Sequence, residues 1–101
     1  MSTPHKPLQF LITGCSSGLG LELARAVLAS GHKVIASSRN PSETPELVAE
    51  IETAGGAWIE LDVSKDDVGE KVEGAMKKYG EVDVLVNNAG YPQGGVLESI
   101  Q

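Results

Sequence analysis

The sequence is poor in the residues that build metal centres and disulfide frameworks. Its 101 residues include one cysteine, Cys15, and two histidines, His5 and His32. A lone cysteine can form no internal disulfide and no multi-cysteine metal site, and two histidines supply no zinc-type cluster. That cysteine usage leads us to expect a reducing, cytoplasmic setting. Aromatic residues are scarce at 4%. No apolar run approaches the ~20 residues that a membrane-spanning helix requires. The opening MSTPHKPLQF has no apolar stretch followed by a small-residue cleavage site, so neither export nor membrane insertion is expected. Basic charge is also limited, with 8 Lys and Arg against 14 Asp and Glu and a net charge of −6. Only Lys77 and Lys78 are adjacent, and they read as favourable charge at a helix C-terminus. A nucleic-acid surface needs a dense basic footprint, which excludes that class of partner.

What is present is an alternation of two periodicities within a length suited to one domain. Short apolar strands are expected at 8–13, 32–38, 57–63 and 82–86. Helical spacing is expected between them. Over 19–30 the apolar positions 19, 23, 26 and 27 describe the first helix, which Gly31 ends. Thr44 is a candidate N-cap with Pro45 at the first helical position, followed by Leu47, Val48, Ile51 and Ala54, and then by Gly55-Gly56. Ser64 is a candidate cap for a third helix, whose stripe is Val68, Val72, Ala75, Met76 and Tyr79, ended by Gly80. After the fourth strand, NNAGYPQGG reads as a loop and the residues beyond it as the start of a helix. Strands and helices in alternation predict right-handed β-α-β units. The expected fold is a Rossmann-like α/β sheet of about four parallel strands in the order 3-2-1-4, with flanking helices. The whole of 1–101 is expected to form a single partial dinucleotide-binding domain.

Chemistry enters with ITGCSSGLG, residues 12–20, where a strand passes through three glycines into a helix. The first N–H groups of a helix lack intrahelical partners and lie at the positive end of its dipole, so this junction suits an anion. A side chain at Gly14 would obstruct the turn, one at Gly18 would fill the space a pyrophosphate needs, and Gly20 would let the helix pack closely on the sheet. These are the roles of the dinucleotide fingerprint, although the spacing is G-x-x-x-G-x-G. A P-loop is excluded, because no Gly-Lys-Ser/Thr occurs in the chain.

TGCSSGLG (13–20), LDV (61–63) and NNAG (87–90) together resemble the motifs of the short-chain dehydrogenase/reductase family, in the right order and on the right elements. The resemblance implies that Gly14, Ser16, Gly18 and Leu19 line the diphosphate and ribose, and Gly20 is expected among the cofactor-binding residues with them. It implies that Asp62 and Val63 hold the adenine edge, and that Asn87, Ala89 and Gly90 pass beside the adenosine ribose. Asp62 could instead cap the next helix, and Asn87 could tie the strand end together. Cys15 reads as a small filler of the loop.

The end of the second strand reports on the ribose. A NAD site places an acidic residue about 20 positions after the glycines, where it meets the 2′-OH. Here the stretch is SSRN (37–40), with Arg39 and no carboxylate. A guanidinium can bind a 2′-phosphate through two hydrogen bonds, and Ser37, Ser38 and Asn40 add donors. NADP(H) is therefore expected over NAD(H), although Arg39 could also be a solvated residue before a turn.

In the family, catalysis comes from a downstream serine and a Tyr-x-x-x-Lys pair. Here Tyr79 is followed four residues on by Asp83 and Tyr91 by Gly95, no lysine follows Lys78, and Ser99 comes too early. We therefore expect residues 1–101 to be the N-terminal, adenosine-binding part of a longer NADP(H)-dependent oxidoreductase that interconverts carbonyl and alcohol. The fourth strand is expected to be an unprotected edge, and oligomerisation is expected only with a C-terminal half. The other reading is a non-catalytic nucleotide-binding remnant, or a partner of an intact relative.

Overall fold

A computed structural model of the chain describes residues 6–16, 18–88 and 96–99. Its order is β1 (Gln9–Ile12), α1 (Gly18–Ala29), β2 (Lys33–Ser38), a single 3₁₀ turn (Pro41–Glu43), α2 (Pro45–Thr53), β3 (Ala57–Glu60), α3 (Val68–Tyr79), β4 (Val84–Asn87) and β5 (Val96–Ser99). The sheet runs β3-β2-β1-β4-β5. Its first four strands are parallel and stand in the expected order 3-2-1-4.

β5 corrects the expectation for the end of the chain. The segment after the NNAG loop is not a helix but a strand. It pairs antiparallel with β4, with Val84 opposite Ser99 and Asn87 opposite Val96. The outer edge of β4 is therefore paired rather than unprotected. An open row of backbone donors and acceptors is costly, and a segment a few residues away in sequence can satisfy it as a hairpin.

The central strands are buried on both faces, and adjacent residues alternate between them. Ile12, Val34, Ala36, Trp58 and Val86 face α1 and α2, and pack with Ala24 and Ile51. Leu11 and Ile35 face α3, and pack with Ala75, Val72, Met76 and Tyr79. At the start of β1, Gln9 is 7% exposed and its Nε2 donates to the carbonyls of Tyr79 and Glu81 at 3.2 and 3.0 Å, which ties the end of α3 to the sheet. Lys77 and Lys78 lie in the last turn of α3, and Gly80 ends that helix at φ 106°.

Two local expectations need correction, and a third, Thr44 as the N-cap before Pro45, holds in position but not in its side-chain bond. The stripe on α1 is displaced: Gly20, Leu21 and Ala24 are buried, whereas Leu19 is 49% exposed and Ala26 is exposed. The two smallest residues face the sheet because the helix approaches it closely there. Thr44 does precede Pro45 at the start of α2, but its side chain makes no capping bond and its Oγ1 is buried without a partner. α3 begins at Val68 behind Asp67, not behind Ser64, which belongs to a turn with Asp62. Among the described residues, no helix is long and apolar enough to cross a membrane.

Candidate functional site

Parallel strands all end on the same side, so the loops that follow β1 to β3 and Asn88 at the end of β4 converge at one rim of the sheet. From β1 the chain crosses to β2 on one side, while β4 lies on the other, and this reversal opens a crevice above the strand ends. A cleft of about 520 Å³ lies there.

The β1 loop forms its floor. Gly14 and Gly18 have φ of 67° and 60°, in the left-handed region that side chains disfavour. Hydrogen bonds hold the loop from both neighbouring strands. Thr13 N donates to Val86 O at 3.0 Å, Cys15 N to Ser37 O at 2.9 Å, and Asn88 Nδ2 to Gly14 O at 3.3 Å. Gly14, Ser16, Gly18 and Leu19 line the cleft, and α1 opens at Gly18, so its first N–H groups lie at the cleft. Among the described residues, a Cβ on Gly18 would meet nothing within 4 Å beyond its chain neighbours and its own helix backbone, which leaves room there for a ligand. Gly20 does not line the cleft. Its Cβ would collide with the carbonyl of Gly14 and stand 2.9 Å from Asn88 Nδ2, so its smallness lets α1 start close against the loop.

Ser38 and Arg39 line the cleft at the end of β2. Ser38 is buried, and its Oγ accepts the indole N–H of Trp58 at 3.0 Å, whereas Arg39 is exposed. Beyond β3, Leu61, Asp62, Val63 and Ser64 line the opposite wall. Asp62 Oδ1 accepts from Ser64 N at 2.9 Å and from Ser64 Oγ at 2.6 Å. These bonds, first the hydroxyl and then the backbone, hold the Asp62 carboxyl below its ordinary value, and the charges of Arg39 and Lys65 add to the effect against some desolvation. Asp62 caps no helix, because α3 begins further on.

At β4 the structure separates two adjacent asparagines. Asn87 does not line the cleft; its Oδ1 accepts from Thr13 Oγ1 at 3.3 Å, the strand-tying alternative. Asn88 does line the cleft, and it braces the glycine turn. Ala89 and Gly90 lie outside the described residues. The sequence reading therefore missed Leu61, Ser64 and Asn88, although each stands in or beside a motif it had singled out. Cys15 is fully buried and donates to Ile12 O at 3.2 Å, and burial pushes its thiol up to about 11. Among the described residues, no group of three His, Cys, Asp or Glu could hold a metal ion.

The rim thus offers backbone donors and clear space for a diphosphate, a guanidinium on one side and an acceptor carboxylate on the other. Residues 9–101 match the family model described as short chain dehydrogenase. Oxidoreductase claN of Passalora fulva is 49% identical over 90 residues, which cover 88% of this chain and 41% of that protein. An actinorhodin polyketide ketoreductase solved with NADPH superposes with a TM-score of 0.74 at 35% identity, over 85% of this chain and 34% of the other. L-sorbose reductase of Gluconobacter frateurii, solved with NADPH and L-sorbose, gives a TM-score of 0.73 at 29% identity, over 84% and 34%. The chain spans 41%, 34% and 23% of the length of three curated relatives.

Proposed function

The chain belongs to the short-chain dehydrogenase/reductase family, and from that membership we propose that residues 1–101 hold the adenosine and diphosphate side of NADP(H) for an oxidoreductase that interconverts carbonyl and alcohol groups. The observation that carries the proposal is the convergence of Gly14, Gly18, Arg39 and Asp62 on one cleft at the strand ends. When bound, the nicotinamide supplies a hydride to a carbonyl carbon or takes one from an alcohol carbon. The residues of this chain bind and orient. The loop and first turn of α1 give N–H donors to the diphosphate, Asp62 accepts from the adenine amine, and Arg39 pairs with the 2′-phosphate. Leu19, half exposed at the rim, offers an apolar surface to the nucleoside.

Arg39 favours NADP(H) because the stretch at the end of β2, SSRN (37–40), carries a guanidinium and no carboxylate to accept from a 2′-OH. No tyrosine in these 101 residues is followed four positions later by lysine, which supports assigning them to cofactor binding rather than proton transfer. The same observation favours the second reading, in which the chain is a nucleotide-binding partner of an intact relative in the cytoplasm. Calorimetric titration of the 101-residue chain with NADPH and NADH tests the proposal. NADPH should bind more tightly, and Arg39→Ala should lower that preference about tenfold or more, as expected for loss of hydrogen bonds to a charged group. Equal affinities in the wild type would reject the NADP(H) assignment.

A further inference from the structure

We infer that Trp58 is a positioning residue for recognition of the ribose 2′-phosphate, acting through the hydroxyl of Ser38. The inference rests on the NADP(H) reading of the cleft. Trp58 is the single tryptophan of the chain. It lies on β3 opposite Ala36 of β2, is 8% exposed, and packs in the core with Ile12, Val34 and Ile51. Its indole N–H donates to Ser38 Oγ at 3.0 Å.

An indole nitrogen can only donate, so the serine oxygen in this pair must accept. A hydroxyl has one proton to give, and among the described residues Ser38 gives it to nothing. The neighbouring serine differs: Ser37 Oγ donates its proton to Ile12 O at 3.1 Å, inside the sheet. Two adjacent serines are thus sorted, one with its proton used in the fold and one with its proton kept at the cleft beside Arg39.

That sorting bears on the choice of cofactor. A 2′-phosphate presents only acceptors when fully ionised, whereas a 2′-OH can donate or accept. With one of its two lone pairs taken by a core-anchored indole, the hydroxyl turns its proton away from that bond and is oriented to donate into the cleft before the ligand arrives. It gains most from a charged acceptor, where a hydrogen bond is strongest. Without the indole nothing fixes the rotation of the hydroxyl, so its match to a phosphate, which only accepts, would weaken, while a ribose 2′-OH, which can donate or accept, would be met about as well as before.

The test measures dissociation constants for NADPH and NADH on the full chain carrying Trp58→Phe. NADPH should bind about five- to tenfold more weakly while NADH changes by less than about twofold, so the ratio of the two falls. In a Ser38→Ala background the same substitution should leave the ratio where Ser38→Ala put it, and Ser38→Thr, which keeps the hydroxyl, should restore the wild-type ratio. Equal weakening of both cofactors, or an unchanged ratio, overturns the inference. A second measurement does not depend on the variant folding. The one indole N–H resonance of the wild type should move when adenosine 2′,5′-bisphosphate is added and move much less with 5′-AMP, and equal movement overturns the inference. A wild type that binds NADPH and NADH alike rejects both this inference and the cofactor assignment. A wild-type preference that persists in Trp58→Phe rejects this inference alone.

Discussion

Replacing Gly20 by alanine should destabilise the chain, although alanine is the better helix former. A Cβ at this position collides with the carbonyl oxygen of Gly14 and stands 2.9 Å from both the Gly14 carbonyl carbon and Asn88 Nδ2. The asparagine amide could swing away, at the loss of its 3.3 Å bond to Gly14. The carbonyl cannot, because Thr13 N and Cys15 N anchor the loop to β4 and β2 at 3.0 and 2.9 Å. The start of α1 must therefore move outward. Overpacking against fixed atoms costs about 1–3 kcal/mol. The propensity gain of alanine over glycine returns at most about 1 kcal/mol, so the net loss is on the order of 1–2 kcal/mol. Gly74→Ala is the matched control, because Gly74 is exposed within α3 and its Cβ would meet nothing within 4 Å. It should gain about 0.5–1 kcal/mol. With a urea dependence of about 1 kcal/mol per M, the two midpoints should lie roughly 2 M apart, on either side of the wild type. Gly20→Ala should also weaken NADPH, because Gly14 and the α1 start both line the cleft, while Gly74→Ala should not. A Gly20→Ala protein at least as stable as the wild type would refute the close-approach argument.

Three further outcomes can be checked. Cys15, with its thiol pushed up from 9.0 to about 11, should resist thiol reagents in the folded chain and react on unfolding. The folded value is the higher one, so stability should be full below 9.0 and decline as pH rises towards about 11; a folded-state reaction as fast as that of a free thiol refutes the burial. Thr44→Val removes a buried hydroxyl that has no partner and should be neutral or stabilising by about 1 kcal/mol in urea melts, whereas a clear loss would reveal a capping role. The Asp62 carboxyl is held below its ordinary 3.8, so its contribution is present above that value and lost as pH falls through the lower folded one. The stability difference between wild type and Asp62→Asn should therefore shrink on acidification in paired thermal melts, and a pH-independent difference would show that the Ser64 bonds do not favour the ionised form.

The fold was legible where it is local. Four apolar runs, separated by helical stretches that end at Gly31, Gly55-Gly56 and Gly80, carry the βαβ order, and parallel pairing follows from the intervening helices. The failures at Leu19 and at 96–99 are cases in which tertiary contact decides, whereas Ser64 is claimed by a residue two positions away. Leu19 belongs to an apolar stripe by periodicity, but the close approach at Gly20 rotates α1 so that Leu19 turns to the rim. Ser64 looks like a cap until Asp62 claims its hydroxyl and backbone N–H together. The segment at 96–99 has no signal that separates a helix start from a strand. What decides it is the unpaired edge of β4, a feature of the assembled sheet that no local window contains.

At the site, legibility followed the kind of atom involved. The glycine loop acts through its backbone, and the absence of side chains is itself written in the sequence, so Gly14, Gly18 and Gly20 could each be given a separate role. Side-chain direction is not written there. Adjacent residues on a strand point to opposite faces, so one position decides between cleft and core. Ser37–Ser38 on β2 shows the consequence, and Asn87–Asn88 repeats the division across the end of β4. In each, identical neighbours divide into one that bonds within the sheet and one that reaches the cleft. The motif names the pair, while the register of β4 on β1 and of β2 on β3 selects the member. Arg39 escapes this ambiguity because it lies one residue past β2, where the pleat no longer dictates direction and a long side chain can reach the rim. The charged residue proposed to choose between the two cofactors thus stands where the sequence is easiest to read, while the serine beside it accepts a hydrogen bond from a tryptophan one strand away.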